Sequence, residues 1–419
     1  MSVQSVSTQG SAETVSASIP ETGICAPLIK TKVAILTGGI DKPYVYGLAT
    51  ALSSVGMQID LIGGDAVDCQ EFHTLPNIEF LRFRHNPDKG ASPITRLAGV
   101  LAYYGRLIRY AATSKAHIFH LIWNNKFEIV DRTLLMMYYR ARRKRVILTV
   151  HNVNQARRDS KDTWLNRLTL RIQYRLCNHL FVHTPKMKDE LIDSFKVPPD
   201  KITVIPFGIN NAVPRTELTP LNAKQRLEIR PDEKAILFFG RMRPYKGLEH
   251  LLDAVDQLMK LDSGYRLIIA GEPKKGSEQY FSEIKKTVEK IDRDHRIICN
   301  LRFIPDDEIE LYFKAADVLI LPYKEIFQSG VMFLSFSFGL PVIATRVGSF
   351  GEEIEEGTTG FLCNSADAQD LMVTIMNFFA SDLYANLDAR RPQIRSIAED
   401  RHSWDAVARI TSSVYSKVL

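Results

Sequence analysis

The chain has 419 residues, more than one hydrophobic core usually organises, so two domains of ordinary size are expected. Apolar residues make up 45% and charged residues 24%, which excludes a fibrous or wholly disordered chain. A net charge of +6 favours anionic partners such as nucleotide phosphates, anionic lipid or nucleic acid without choosing among them.

Residues 1–31 are rich in Ser, Thr and Gln and lack a basic stretch followed by an apolar one. They are expected to form a disordered tail rather than a signal peptide, which leaves the chain in the cytoplasm. The short run 32–37 reads as a strand that ends at Gly38-Gly39, and 44–55 then follows helical spacing, the opening of a Rossmann unit. Further strands are expected at 59–62, 117–122, 146–150, 180–184 and 202–205, with helical stretches between them, so 32–208 reads as a doubly wound parallel-sheet domain.

After Pro206-Phe207-Gly208 the chain turns polar, and 209–220 is the expected linker. The alternation then restarts, with strands at 235–239, 265–270, 297–303, 318–321 and 341–345, giving a second domain over 221–396. The last segment, 397–419, has amphipathic helical spacing and is expected to pack across the cleft, back onto the first domain. No uncharged apolar run reaches the roughly 20 residues that span a bilayer, so any membrane contact would be peripheral.

In such sheets ligands bind beyond the carboxyl ends of the strands, so the loops there carry the candidates. Gly38-Gly39 serves either as a plain turn or as a close approach to a ligand. His151, with Asn152, Asn154 and Asp159 after it, is placed to orient a hydroxyl or handle a proton; His120, between apolar residues, is more often structural. Gly240-Arg241 and Lys246-Gly247 put two cations after the first strand of the second domain, which suits a diphosphate. Gln328-Ser329-Gly330-Val331 precedes an apolar helix whose first amides can bind an anion, with a plain Ser-Gly cap as the alternative. Glu353 follows a glycine loop at 346–351 and either charges a first helical turn or hydrogen-bonds hydroxyls. The five cysteines form no CxxC pair and have no histidine at ligand spacing, so no metal site is expected. Basic and aromatic residues interleave at 103–110 and 138–145, which suits anionic lipid headgroups; no nucleic-acid motif accompanies them.

The order of Gly240-Arg241, Lys246-Gly247, 316–322, 339–344 and Gly348 through Glu353 to Gly360-Phe361-Leu362 resembles glycosyltransferase family four, or glycosyl transferases group one. That resemblance implies an α/β, GT-B fold of two Rossmann-like domains facing across a cleft, and a nucleotide-diphosphate sugar as co-substrate with no other cofactor. It implies that Arg241 and Lys246 hold the donor diphosphate, that the amides of Ser329, Gly330 and Val331 assist, that Glu353 lies near the donor, and that His151 matches a sugar-binding histidine. The family's two glutamates, eight positions apart, are replaced here by Ile326 and Leu334, with Glu325 one residue off the first. A loop of this kind looks like a divergent branch of bacterial polysaccharide assembly, in which an inverting member would use Asp159 as base. The expectation is a metal-independent hexosyl transfer to a lipid-linked saccharide. A nucleotide-sugar epimerase and a catalytically silent sugar-nucleotide-binding protein are the alternatives.

Overall fold

The computed structural model describes residues 32–39, 41–85, 90, 92–159, 161–210, 213–274, 276–364 and 366–419, so the expected tail at 1–31 lies outside the described residues. Seven strands form the first sheet: β1 (Lys32–Leu36), β2 (Gln58–Gly64), β3 (Ile78–Arg84), β4 (Ile118–Leu121), β5 (Arg145–Thr149), β6 (His179–Val182) and β7 (Ile202–Val204). Six form the second: β8 (Lys234–Phe239), β9 (Tyr265–Ala270), β10 (Ile297–Asn300), β11 (Val318–Leu321), β12 (Val342–Thr345) and β13 (Gly360–Cys363). The spatial orders are β3-β2-β1-β4-β5-β6-β7 and β10-β9-β8-β11-β12-β13, and the strand pairings are parallel. Each order reverses once, at β1/β4 and at β8/β11, and these reversal points are where open α/β sheets leave a crevice.

Strands this apolar form because both faces of a parallel sheet are covered. In β1, Val33 and Ile35 point into one core while Ala34 and Leu36 point into the other. The helices Lys42–Ser54 and Trp404–Val418 cover the core that holds Val33 and Ile35, and Pro93–Thr113 with Trp164–Leu176 cover the one that holds Ala34 and Leu36. A single cluster fills the second domain around β8, β9 and β11.

Two strands escape the sequence reading, β3 and β13, and both are sheet edges. The β3 run Ile-Glu-Phe-Leu-Arg-Phe-Arg is only partly buried and breaks its apolar pattern with charge; β13 is four residues long and begins at a glycine. The expected helix over 397–419 is also corrected. Two helices, Leu387–Arg401 and Trp404–Val418, meet at His402-Ser403, where the Ser403 hydroxyl accepts from the Asp405 amide at 3.2 Å and restarts the helix.

The second of these helices does cross back, since Trp404, Val407, Ala408, Val414 and Tyr415 belong to a core of the first sheet. Its entry is pinned to the other crossing of the chain. The Ile209 amide donates to the His402 carbonyl at 3.0 Å, and the Trp404 indole donates to the Ile209 carbonyl at 2.8 Å. The indole fits because Gly47 and Gly208 leave room for it: a Cβ at either would lie 2.0 or 2.2 Å from the ring.

Candidate active site

A cavity of about 430 Å³ lies between the two sheets, at the carboxyl ends of their strands. That volume is in the range of small-molecule sites. Loops after β1, β4 and β5 supply Asp41, Tyr44, Trp123, His151 and Asn152 from one side; loops after β8 and β11 supply Tyr245, Lys246, Gln328, Ser329, Gly330 and Val331 from the other.

On the first side His151 stacks on Trp123, with ring centroids 4.5 Å apart, and meets Tyr44 edge-on at 4.6 Å. Burial, then the neighbouring His183 and His120, hold its pKa well below the usual histidine value, so the ring is neutral. The proton positions follow from its partners. His183 Nδ1 faces the Ile205 carbonyl at 3.4 Å, and a carbonyl only accepts, so the His183 proton sits there and its Nε2 accepts. His151 Nδ1, 3.2 Å from that Nε2, therefore donates, and a neutral His151 presents Nε2 as an acceptor. That Nε2 is buried with no partner among the described residues, as is Oδ1 of Asn152.

On the second side Lys246 is 6% exposed and makes no salt bridge among the described residues. Its Nζ sits 5.3 Å from the centre of the Tyr323 ring. Burial first, with Arg243, Arg158 and Arg241 adding repulsion against an opposing effect of Tyr245, pushes its pKa down to about 8. A positive charge held this way is short of a counter-ion. The helix Gly330–Ser337 starts beside it with Ser329 at the cap position, and the Ser329 side chain makes no cap hydrogen bond. Both amide atoms of Gln328 are buried without a partner among the described residues. Ile326 and Leu334 also line the cavity, so where the resembled family carries carboxylates this site is apolar.

The remaining candidates fall outside this cavity. Arg241 is exposed and its guanidinium is bonded to Glu272, with Nε 2.8 Å from Oε1. Gly240 lies under Lys246, where a Cβ would come 3.3 Å from Nζ. Glu353 is held 3.0 Å from His402 Nε2, bracing the inter-helix break instead of facing the donor side. Asp159 is paired with Arg158 at 3.0 Å and Arg243 at 3.6 Å. Burial raises its pKa, but the bond to Arg158 and the charges of Arg158, Arg243 and Lys274 outweigh this and hold it below the ordinary value, a poor setting for a base. Glu325 faces a different cavity, beside Arg157 and Lys186. His120 is sealed between Tyr415 Oη at 2.6 Å and Thr149 Oγ1 at 2.7 Å; burial, then His179, drops its pKa to about 3. It is a structural group. Asp41, which sequence reasoning passed over, is the one carboxylate among the described residues that line the cavity, and burial raises its pKa against an opposing bond from the Tyr44 amide.

A second cavity, of about 460 Å³, adjoins the first through Trp123, His151, Asn152 and Gln155 and belongs wholly to the first domain. Gly38 lines it at φ +65°, and a Cβ there would lie 2.8 Å from Trp123 Cβ; Gly39 faces the end of Arg84. Asn124, Asn125, Lys126, Arg84 and Gln173 complete it, with Gln173 Nε2 donating to Asn124 Oδ1 at 2.6 Å. A bridge between domains was also illegible in sequence: Arg158 stacks over Tyr245 at 4.5 Å while Asp159 meets Arg243. Both sat in charge runs whose ordinary meaning is a solvated loop. Among the described residues no group of three or more His, Cys, Asp and Glu is placed to hold a metal ion, and no helix is long and apolar enough to cross a membrane.

Residues 42–213 match the model described as Glycosyltransferase Family 4, and 221–393 match the one described as Glycosyl transferases group 1. A D-inositol 3-phosphate glycosyltransferase of Corynebacterium efficiens is 24% identical over 401 residues, covering 91% of each chain. In fold, the chain is similar to sucrose-phosphate synthase from Thermosynechococcus elongatus, with TM-score 0.74 at 18% identity over 93% of this chain and 99% of that one. It is also similar to HepE from Anabaena, solved in complex with UDP-glucose, with TM-score 0.71 at 17% identity over 92% and 99%.

Proposed function

A chain matched along more than four-fifths of its length by these two models belongs to the family-four, group-one glycosyltransferases, and from that premise we propose a specific transfer. A hexose moves from a nucleoside-diphosphate sugar to a hydroxyl of a lipid-linked saccharide, without a metal ion, at the cytoplasmic face of a membrane during polysaccharide or glycoconjugate assembly. The observation that carries the reading is the 430 Å³ cavity, in which a buried Lys246 with no salt bridge among the described residues, a helix start and the Gln328 amide on one side face the unpartnered polar atoms of His151 and Asn152 on the other.

The diphosphate takes the place beside Lys246 and the first amides of Gly330–Ser337, where a dianion restores the ammonium that burial disfavours. Arg241 joins by exchanging Glu272 for phosphate, which its exposure allows. The sugar's hydroxyls satisfy His151 Nε2, which accepts, and the Gln328 amide, which can do both. The bond from the anomeric carbon to the diphosphate oxygen breaks with its electron pair staying on the diphosphate, and the acceptor oxygen bonds to that carbon and gives up its proton. Asp41 is better set than Asp159 to take that proton, because it lines the cavity and its pKa is raised rather than lowered. The acceptor occupies the adjoining cavity of the first domain, rich in Asn and Gln side chains suited to hydroxyls.

Incubation with UDP-, GDP- and ADP-sugars and membrane lipid extract, following nucleoside-diphosphate release with and without EDTA, tests this. Release that needs both one donor and lipid, and that survives EDTA, is expected. Conversion of the donor without acceptor would favour an epimerase, and binding without turnover a silent binding protein.

A further inference from the structure

Twelve of the nineteen exposed large apolar side chains among the described residues lie between 94 and 168, less than a fifth of the chain. Ile94, Leu97, Leu101 and Ile108 form a stripe along the outer side of the helix Pro93–Thr113, while Tyr103, Tyr104, Leu107 and Ala111 bury its inner side. That helix lies beside the segment 127–142. Tyr138 donates to the Ile108 carbonyl at 3.1 Å, Arg142 to the Ala112 carbonyl at 2.9 Å and Tyr104 to Asp131 at 2.9 Å. The same segment packs on the helix Trp164–Leu176, with Arg132 bonded to Asn166 at 2.8 Å. Leu134, Met137 and Trp164, the last 74% exposed, extend the apolar surface across these neighbours.

Its charge is one-sided. Residues 90–176 carry seventeen Lys and Arg against four Asp and Glu, and the helices Pro93–Thr113 and Trp164–Leu176 contain no acidic residue. An apolar stripe flanked by arginines fits the boundary between anionic headgroups and acyl chains. A second copy of this chain fits badly, because a two-fold contact would set the basic flanks against themselves. The face also adjoins the acceptor-side cavity. A small hollow of about 120 Å³ at the start of Pro93–Thr113 is lined by Thr95, Arg96, Val100 and Tyr103 and shares Arg84 and Lys126 with that cavity.

We propose that the three-helix face of the first domain, with Leu97, Leu101, Leu134 and Trp164 at its centre, docks on a membrane containing anionic lipid and turns the acceptor cavity toward it. This deepens the lipid-acceptor part of the reading above, and vesicle binding reads it without any turnover, so failure of one is distinguishable from failure of the other.

The full chain is sedimented with vesicles of phosphatidylcholine, with or without about a third phosphatidylglycerol. Binding is expected only to the anionic vesicles and is expected to weaken with salt. The variant Leu97→Asp/Leu101→Asp, at exposed positions, should lower the partition coefficient by about tenfold or more with an unchanged melting temperature. Leu261→Asp/Phe303→Asp, exposed in the second domain, should bind as the unmutated chain does. Trp164 reports independently of any variant, because Trp404 is buried and Trp123 is stacked on His151, leaving it the exposed one of three tryptophans. Its emission should shift to the blue on anionic vesicles and be quenched by brominated lipid. The proposal is overturned if neither vesicle binds, if the Leu97→Asp/Leu101→Asp variant binds equally well, if bound Trp164 is not quenched, or if the face instead mediates a dimer that the same variant dissociates.

Discussion

The two sheets present opposite chemistry to one cavity. The second sheet's loops bring a buried cation, a helix start and apolar side chains at the positions of Ile326 and Leu334; the first sheet's loops bring a neutral imidazole, aromatic rings and amides. The difference teaches that, in the proposed transfer, the charge that meets the diphosphate comes from the second domain, while hydroxyl recognition is centred on His151 of the first with Gln328 of the second beside it. A leaving diphosphate needs fixed positive charge, whereas sugar hydroxyls need uncharged acceptors and donors.

Removing the cation should break the arrangement most severely. Lys246→Ala is expected to lower turnover by about 100-fold or more, with weaker donor binding, whereas Asp159→Asn should change it by less than about threefold. His151→Ala sharpens the contrast from the other side. It is expected to cost about 10- to 100-fold in kcat with little change in affinity for the nucleoside diphosphate, because in the proposed reading the buried Nε2 meets a sugar hydroxyl and not the phosphates. The pH dependence of diphosphate binding should belong to the second sheet. Lys246 is charged below its pKa of about 8 and loses that charge as pH rises through it, so diphosphate affinity should fall above pH 8. Binding measured near that pH should take up protons, seen as a buffer-dependent enthalpy. The smallest effect is expected far from the cavity: Tyr415→Phe removes the partner of His120 Nδ1 and should cost about 1 kcal/mol of stability, read by denaturant unfolding, with turnover per folded molecule unchanged.

The sequence made the fold legible wherever strands are buried on both faces, because their apolar runs are unbroken, and it located the loops after β5, β8 and β11 for the same reason. Edges were lost. β3 alternates charge with apolar residues, and β13 is too short to stand out. Side-chain direction was lost as well. Nothing local tells that Arg241 turns to Glu272, that Glu353 braces His402, or that Arg158 reaches across to Tyr245, since each partner lies 31 or more residues away or in the other domain. His151 was legible as a residue at a strand end. Its neutrality comes from burial and then from His183 and His120, and its available Nε2 from the contact of its Nδ1 with His183, which only the folded sheet brings together.

Equilibrium binding of UDP, GDP and ADP to the unmutated chain, Lys246→Ala and His151→Ala by titration calorimetry tests the division between the sheets most directly. At least one nucleoside diphosphate should bind, with affinity reduced about tenfold or more by Lys246→Ala and less than about threefold by His151→Ala. Equal losses in the two variants, or undiminished binding by Lys246→Ala, would contradict it.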